Sequence, residues 1–592
     1  MTPSTFTRLW KVGKPFWTSE RRWTALAYLI AVLVLLTANA GVSVYVNMTA
    51  GRFMTAIEQR SVSDFYYYLA LYAGALVVAT PIQVFYGYLR TRLALVWRTW
   101  LATSLFAGYF SNLVYFKLLG NKDIDNPDQR MTQDVDSFCN SSVGLFISIL
   151  DAVVNVVTFI GVLWAISPTL TYTVIGYSFV GSLIVVLIGR ALIGLNFMQM
   201  KTEADLRFGL AETRREAESI AFTRGEAIAR KQAESRLKRV IDTLWSMAGV
   251  NRNIQFFTNG YNMMAPLIPA AIIAPLYFAG NVPFGHITQA TMAFTIVFNG
   301  CTFMIAQFGG ISSYAATINR LGGFMEMLEK IGVEKLPEGK SVEVVEADSI
   351  VFDHVTVSTP DHARDLVVDL SIDVSRGGLL VTGPDGSGKS ALLRVISGIW
   401  TAGRGRLMRP DFKRVMFLSQ SPYLPSVTLR EALSYPCIDN CADDTRLAQV
   451  LEIVGLGQLI ERAGGLDVVQ SWRDFLSAGE QQRLSMCRVI LAQPEFVVLD
   501  EATNALEGEN EKLLYGLLAG MGATVVSAGN GPNLARYHHK VVELAGDGSW
   551  KVLPAKTYKP TFSFVKEDRI RLFAERETEN KSTENNEGSH ER

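Results

Sequence analysis

Six apolar segments, each long enough to cross a lipid bilayer, lie in the first 308 residues of this 592-residue chain. A helix of about twenty residues spans the hydrocarbon core of a bilayer, and six such segments cannot all be buried in one globular core. The sequence therefore predicts an all-α transmembrane domain of six helices. The predicted spans run near Trp23–Val46, Phe65–Tyr88, Val143–Ile166, Leu170–Leu195, Phe256–Gly280 and His286–Phe308.

The distribution of basic residues indicates how this domain is oriented. The short turns near Ser167 and Asn281 carry no Lys or Arg, whereas the N-terminal segment is basic, with Arg8, Lys11, Lys14, Arg21 and Arg22. Because basic residues are retained on the cytoplasmic side, we expect the N-terminus to be cytoplasmic. The longer segments between the second and third spans and between the fourth and fifth spans then lie on the same side.

Composition divides the chain into a membrane half and a more polar half. We predict a cytoplasmic segment at 1–22, a transmembrane domain at 23–320, a linker at 321–348, an α/β domain at 349–564 and a polar, disordered tail at 565–592. The 56 basic residues equal the 56 acidic residues, so no net positive charge favours nucleic acid as a partner. Membrane lipid is the partner that the apolar half implies.

The segment from Gly383 to Ser390 matches the phosphate-binding pattern G-x-x-x-x-G-K-[ST]. An apolar run, Leu379–Val381, predicts a strand before the glycines, and a helix is predicted after them, as the pattern requires. Backbone N–H groups can reach phosphate oxygens where side chains are absent. The residues that we expect to bind nucleotide here are Gly383, Pro384, Asp385, Gly386, Ser387, Gly388, Lys389, Ser390 and Ala391.

A second motif, which ends in acidic residues, supplies the groups that a nucleotide-bound metal needs. The run Phe496–Asp500 predicts a buried strand that ends in a carboxylate. We expect Asp500, with the hydroxyl of Ser390, to hold Mg²⁺ beside ATP. Glu501 could orient or deprotonate an attacking water, and a helix cap is the alternative role for an acid at this position.

The segment Leu476–Arg483 resembles the signature of the ATP-binding-cassette (ABC) family, about twenty residues before Asp500. The resemblance implies that the signature of one cassette closes over ATP bound to a second copy of the chain, so the chain should be a homodimer. It also places Gln420 in the Q-loop, at the metal and the attacking water, and 504–507 in the D-loop. The signature residues expected to contact ATP are Ser477, Ala478, Gly479 and Glu480.

Two positions depart from the family pattern. Asn530 stands where the family has a switch histidine, and an amide can donate a hydrogen bond but cannot become cationic. Slow hydrolysis is one hypothesis, and ordinary activity with a tolerated substitution is the other. The segment 357–362 also lacks the aromatic residue on which many cassettes stack adenine.

The segment Arg215–Glu226 narrows the resemblance to subfamily D of the ABC transporters and to the SbmA/BacA-related bacterial group. This resemblance implies an exporter-type ABC fold, with Asn126–Arg130 and Glu212–Glu226 as the contacts to the ATPase domain. It implies solutes such as peptides, cobalamin or fatty-acyl compounds, and a bacterial inner membrane. The sequence leaves open a pump and, as the alternative, an ATP-gated permeation protein with weak hydrolysis. The role of Asp151, at the membrane interface or in a cavity, stays open as well.

Overall fold

The computed structural model describes residues 3–120, 126–333, 341–374, 377–419, 421–436, 442–500, 508–529 and 532–558. The chain forms two compact units, Met1–Glu334 and Lys335–Arg592. The boundary falls within the predicted linker at 321–348. The predicted tail at 565–592 lies outside the described residues.

The first unit consists of helices. They are α1 (Pro3–Thr18), α2 (Arg22–Glu58), α3 (Val62–Phe110), α4 (Val114–Lys117), α5 (Pro127–Gln129), α6 (Val135–Ile166), α7 (Pro168–Arg215), α8 (Ala217–Thr223), α9 (Glu226–Met264), α10 (Leu267–Phe278), α11 (Gly285–Ala306) and α12 (Phe308–Val333). A π-helical stretch, Arg130–Asp134, joins α5 to α6. Residues 321–333 of the predicted linker are part of α12.

Five stretches of the described helices are long and apolar enough to cross a membrane. They are Arg22–Glu58, Val62–Phe110, Pro127–Ile166, Pro168–Arg215 and Glu226–Phe278. The sixth predicted span coincides with α11, a helix of 22 residues that packs against α2, α6 and α7. The prediction of a helical membrane domain is therefore confirmed, with five helices that meet these criteria rather than six.

Several of these helices are longer than a bilayer is thick. Helix α3 has 49 residues and α7 has 48, and at 1.5 Å per residue each reaches about 70 Å. The hydrocarbon core is only about 30 Å thick. The helices therefore continue well beyond the bilayer. Proline sets one of the boundaries, since Pro168 occupies the first turn of α7, where its missing N–H costs nothing.

Aromatic packing holds the N-terminal helix against the bundle. Phe16 of α1 is fully buried and stacks on Trp97 of α3, with ring centroids 5.1 Å apart and an interplanar angle of 7°. Phe138 of α6 meets the same indole edge-on at 5.5 Å. Such pairs add about 0.5–1.5 kcal/mol beyond the area they bury. This cluster also contains buried side chains of α12.

The second unit is an α/β domain, as predicted. Its strands are β1 (Glu343–Glu346), β2 (Ile350–Ser358), β3 (Asp365–Val374), β4 (Leu379–Thr382), β5 (Gly403–Arg409), β6 (Val415–Ser419), β7 (Val427–Thr428), β8 (Val469–Gln470), β9 (Phe496–Asp500), β10 (Thr524–Ala528), β11 (Lys540–Leu544) and β12 (Trp550–Pro554). Its helices are α13 (Lys389–Ile396), α14 (Leu429–Ser434), α15 (Asp444–Ile453), α16 (Leu459–Ala463), α17 (Trp472–Phe475), α18 (Ala478–Ala492) and α19 (Gly508–Gly520).

A six-stranded sheet with the order β12-β11-β4-β10-β9-β6 forms the centre of this domain. Only β12 runs antiparallel to its neighbour. All four residues of β4 are buried, as expected for a central parallel strand covered on both faces. A second sheet, with the order β1-β5-β2-β3, is mostly antiparallel. Parallel strands bring their carboxyl ends to one edge, and ligands bind in α/β domains at that edge.

Candidate nucleotide-binding site

The loop between β4 and α13 has the backbone of a phosphate-binding loop. Three of its glycines have positive φ: Gly383 at 152°, Gly386 at 78° and Gly388 at 102°. A Cβ at Gly383 would lie 2.5 Å from the backbone oxygen of Leu544, so only glycine fits there. The loop ends at α13, whose N-terminal N–H groups favour an anion.

Lys389 is buried although it carries a charge. Only 5 % of its side chain is exposed, and Nζ donates to the backbone oxygens of Gly383 at 2.8 Å and Pro384 at 3.2 Å. The nearest carboxylate, of Asp385, is 3.8 Å away and almost fully exposed. A buried ammonium whose hydrogen bonds to described residues all go to neutral oxygens is costly, and an exposed carboxylate at 3.8 Å offsets little of that cost. A phosphate in the loop would supply the missing negative charge.

A second buried group in the loop fits the same ligand. The hydroxyl oxygen of Ser387 is buried and has no hydrogen-bond partner among the described residues. Its side chain lies beside Gly383, since a Cβ on that glycine would be 2.8 Å from Ser387 Oγ. An unpaired buried hydroxyl costs about 1–3 kcal/mol. A phosphate oxygen in the loop would satisfy it.

Ser390 and Asp500 meet at the start of α13. Ser390 Oγ donates to Asp500 Oδ1 at 2.8 Å. Asp500 is the last residue of β9, as predicted, and the alignment of the parallel strands brings it to the carboxyl edge of the sheet. No group of three His, Cys, Asp or Glu side chains that could hold a metal occurs among the described residues. Two oxygen ligands that leave room for water and phosphate are typical of a Mg²⁺–nucleotide site.

Three predicted catalytic residues, Gln420, Glu501 and Asn530, lie outside the described residues. Residues next to them in the chain are described, and the pairing of the parallel strands shows how these neighbours lie relative to one another. Ser419 and Ala528 are both aligned with Asp500, on its two sides. Ser419, Asp500 and Ala528, which shortly precede the three predicted residues in the chain, therefore lie side by side at the carboxyl edge of the sheet.

The signature segment caps a helix. Ser477 is the N-cap of α18, and it forms a capping box with Glu480. Glu480 Oε2 accepts from the backbone N–H of Ser477 at 2.9 Å, while Arg462 donates to Oε1 at 2.8 Å. These bonds, chiefly that from Arg462, lower the pKa of Glu480 to about 2. Such reciprocal bonds fix the first turn of a helix.

No described residue near Gly479 requires a glycine at this position. A methyl group there would have no heavy atom of the described residues within 4 Å, apart from its chain neighbours and the backbone of its own helix, and Gly479 lies in the first turn of a helix, where glycine is unfavourable. Ala478 is exposed and Gly479 is half-buried. The glycine is therefore suited to a close approach of a ligand to its backbone.

The turn from Thr359 to Arg364 lies on the same side of the domain as the phosphate loop. The backbone N–H of Arg364 donates to Thr359 Oγ1 at 3.1 Å, and its guanidinium donates to the backbone oxygen of Gly546. Gly546 is in turn beside the phosphate loop, because a Cβ on it would lie 3.5 Å from Pro384. The segment 357–364 contains no aromatic residue but histidine, as noted from the sequence.

The structure also contains a buried polar network that the sequence did not reveal. Ser527 Oγ lies 2.9 Å from His538 Nε2 and 2.9 Å from the Tyr515 hydroxyl, and His538 Nδ1 lies 2.8 Å from the backbone oxygen of Leu534. A carbonyl only accepts, so Nδ1 carries the proton and Nε2 accepts from Ser527. Burial lowers the pKa of His538 to about 4. The network joins α19 to β10 through Ser527, which comes three residues before Asn530 in the chain.

Short helices occupy the two predicted contact segments of the membrane unit. Helix α5 lies within Asn126–Arg130, and α8 lies within Glu212–Glu226. The seven-residue helix α8 connects the long helices α7 and α9. It ends at Arg224, which has the left-handed conformation with φ of 53°.

Comparison with known proteins identifies the two units. Residues 16–278 match the family described as ABC transporter transmembrane region 2, and residues 367–504 match the family described as ABC transporter. An uncharacterized ABC transporter ATP-binding protein of Synechocystis is 40 % identical over 90 % of this chain and 82 % of its own length. The chain belongs to the ABC transporter family.

Other relatives of this ABC transporter are members of subfamily D. ABC transporter D family member 2, chloroplastic, of Arabidopsis thaliana is 32 % identical over 91 % of this chain and 86 % of its own. The human lysosomal cobalamin transporter ABCD4 is 28 % identical over 93 % of this chain and 96 % of its own. The predicted resemblance to subfamily D is confirmed, and the SbmA/BacA part stays a prediction. The chain is a membrane protein that binds ATP and couples its hydrolysis to transport.

Proposed function

We propose that two copies of this chain form a transporter that moves a solute across the membrane, with ATP held between the phosphate loop of one copy and the signature of the other. The observation that carries the proposal is Gly479, whose small size no contact with another described residue requires. One chain also has one phosphate loop and one signature. A second copy supplies the missing half of each site.

Mg²⁺ belongs to this proposal. Ser390 Oγ and Asp500 Oδ1 would hold the ion, because their 2.8 Å separation lets one small cation replace the hydrogen bond between them. Gln420 would add its amide oxygen from the end of β6. When bound, the ion neutralises charge that develops on the phosphates. Lys389 binds the β- and γ-phosphates, and Glu501 accepts a proton from the attacking water.

The membrane unit favours a solute with an apolar part. One groove of this unit has a volume of about 620 Å³ and lies between α7, α9 and α10, where it is lined almost entirely by apolar and aromatic side chains. Tyr177 and Tyr261 stack at its wall, with centroids 4.0 Å apart. An apolar pocket with few polar groups binds apolar ligand surface. A fatty-acyl chain fits this lining better than a strongly charged peptide or an amide-rich cobalamin does.

Uptake and efflux in sealed proteoliposomes test this proposal. A long-chain acyl-CoA, a cobalamin and a proline-rich peptide are supplied with ATP, without ATP and with a non-hydrolysable analogue. Transport of one solute that requires hydrolysable ATP supports the proposal, and the sign of the flux gives its direction. Flux that continues in a Glu501→Gln variant with ATP bound supports ATP-gated permeation instead.

Location forms the last part of the proposal. The bacterial relatives favour a bacterial inner membrane, with the ATPase unit and the basic N-terminus in the cytoplasm. Labelling of single-cysteine variants in intact cells tests this topology. A cysteine at Asn281, in the turn before α11, should react from outside the cell, and one at Lys14 should not.

A further inference from the structure

A groove rich in basic residues lies on the helical unit, away from the apolar groove. It runs between α1, the π-helical stretch and α12 and has a volume of about 560 Å³. Arg8, Arg130, Arg320 and Lys330 line it, and Glu326 is the one acidic side chain among the described lining residues. We propose that this basic groove binds the phosphate of an anionic membrane lipid.

Two arginines of the basic groove are fixed by hydrogen bonds from Nε and Nη2, so that Nη1 of each remains available to a ligand. Arg8 donates through Nε and Nη2 to Glu326, at 3.2 and 3.1 Å. Arg320 donates through Nε and Nη2 to the buried carboxylate of Asp134, at 2.9 and 2.6 Å. Nη1 of each guanidinium donates to no group in the described part of the chain. Fixed, preorganised donors lose little entropy when they bind an anion.

The groove keeps an excess of positive charge after these pairs are formed. Glu326 and Asp134 balance Arg8 and Arg320. Lys330 is exposed in the last turn of α12 and has no ion-pair partner among the described residues. Arg130 is held at the groove as well, since its Nη1 donates to the backbone oxygen of Arg320 at 2.9 Å. The positive charge of Lys330 suits the single negative charge of a lipid phosphodiester.

The position of α1 favours a lipid as the source of that phosphate. Only Ser19–Arg21 separate α1 from the first candidate span. Phe6 and Trp10, four residues apart on one face of α1, are 66 % and 64 % exposed. Exposed aromatic residues next to a span, on a helix that is also basic, are typical of a helix at the membrane surface. The groove beside α1 then opens at the level of the lipid headgroups.

Binding of such a lipid has a direct consequence for stability. The groove is formed by α1, which begins the helical unit, and by α12, which ends it. A ligand that binds both helices in the folded state stabilises their contact by mass action. Anionic lipid should therefore raise the melting temperature of the helical unit, whereas a neutral lipid should not.

Lipid titration of the purified full-length transporter tests the inference. Bound dioleoyl phosphatidylglycerol is counted by native mass spectrometry, with dioleoyl phosphatidylcholine as the neutral reference. Lys330→Gln should weaken phosphatidylglycerol binding about five-fold, the contribution of one basic residue near an anionic surface. Lys14→Gln removes the same charge from exposed α1 outside the groove, and it should weaken binding less than two-fold. Equal losses in the two variants, or equal binding of the two lipids, would overturn the inference.

A paired variant guards against simple misfolding. Arg8→Gln with Glu326→Gln removes an ion pair while two amides keep a hydrogen bond, so the fold and the basal ATPase activity should survive. Because the Arg8 guanidinium is absent from this variant, it should lose phosphatidylglycerol binding even though the net charge is unchanged. In a second arm, glycerol 3-phosphate competes with the lipid at equal concentration. Displacement by the soluble phosphate would show that the groove serves a soluble anion, and it would overturn the assignment to lipid.

Discussion

Ser390 Oγ donates a hydrogen bond to Asp500 Oδ1 across 2.8 Å, which joins the phosphate loop to the end of β9. The two residues are 110 positions apart in the chain. Neither side chain needs the other as a hydrogen-bond partner, because both are half-buried at the edge of the sheet, where water can reach them. The hydroxyl proton of Ser390 lies between two oxygen atoms that a Mg²⁺ ion could bind in its place.

The first prediction concerns this pair. Ser390→Ala removes one metal ligand, so the Mg²⁺ concentration for half-maximal ATP hydrolysis should rise at least about ten-fold, as is usual when a group that supports a metal is lost. Ser397→Ala serves as the control, since its hydroxyl only donates to the backbone oxygen of Arg394 at the other end of α13. An unchanged Mg²⁺ requirement would exclude Ser390 as a ligand.

The second prediction concerns Lys389, which is buried with neutral oxygens as its closest partners. Lys389→Ala should lower ATPase activity by about 100-fold or more, because a preorganised positive charge at the phosphates is lost. Fluorescent ATP analogues measure binding in the same samples. Lys551→Ala, at an exposed position on β12, is the matched control. Hydrolysis that survives Lys389→Ala would place the phosphates elsewhere.

The third prediction concerns the residue that replaces the switch histidine. Asn530→His introduces a group that can become cationic beside the γ-phosphate, so the turnover number should rise several-fold if charge limits the reaction. The Glu501→Gln substitution should abolish hydrolysis in both backgrounds. Phosphate release under saturating ATP measures the rates. A variant with unchanged turnover would show that Asn530 already supports ordinary activity.

The elements around the nucleotide could be predicted from the sequence because their chemistry is local. A glycine-rich segment between a strand and a helix, and a buried strand that ends in Asp500, each leave a pattern within a few residues. The Tyr515–Ser527–His538 network and the Arg320–Asp134 pair could not be predicted. Both depend on which helix packs on which strand, and single polar residues at such positions look the same as surface residues in the sequence.

A backbone feature explains another difference in the membrane unit, within the predicted fifth span. The sequence predicts six spans from hydropathy, and a hydropathy pattern gives length but not where a helix bends or stops. The predicted fifth span near Phe256–Gly280 is divided between α9 and α10. Pro266 precedes α10, and proline lacks an N–H for a continuous helix. The break between α9 and α10 therefore lies at Pro266.

The fourth prediction follows from the buried His538. Its pKa is about 4 when folded and 6.5 as the ordinary value. Between these values the unfolded chain binds a proton that the folded chain does not, so stability is full above pH 6.5 and falls as the pH drops toward 4. The loss amounts to roughly 3 kcal/mol at most.

Hydrogen exchange of the peptide that contains β10 measures this loss, after correction for the pH dependence of intrinsic exchange. The wild type should lose protection between pH 6.5 and 5, and His538→Gln should lose much less over the same range. His362→Gln, in an exposed turn, should behave as the wild type does. A pH dependence that persists in His538→Gln would assign the effect to another group.

The last prediction decides whether the signature acts on its own chain or on its partner. Two heterodimers are purified with different affinity tags. In the first, one copy carries Lys389→Ala and the other carries Ser477→Arg. In the second, a single copy carries both substitutions and its partner is wild type.

If ATP is held between two copies, the first heterodimer keeps one intact site, formed by the normal phosphate loop of one copy and the normal signature of the other. The second heterodimer has no intact site, because each of its two sites contains one altered half. The first should therefore keep up to about half of the wild-type ATPase activity, and the second should fall to the background of Lys389→Ala alone. A signature that acted within its own chain would reverse this order, since the wild-type copy of the second heterodimer would then work unaided. The order of the two rates thus tests the role of the signature turn, which begins at the exposed Ser477, without any knowledge of the transported solute.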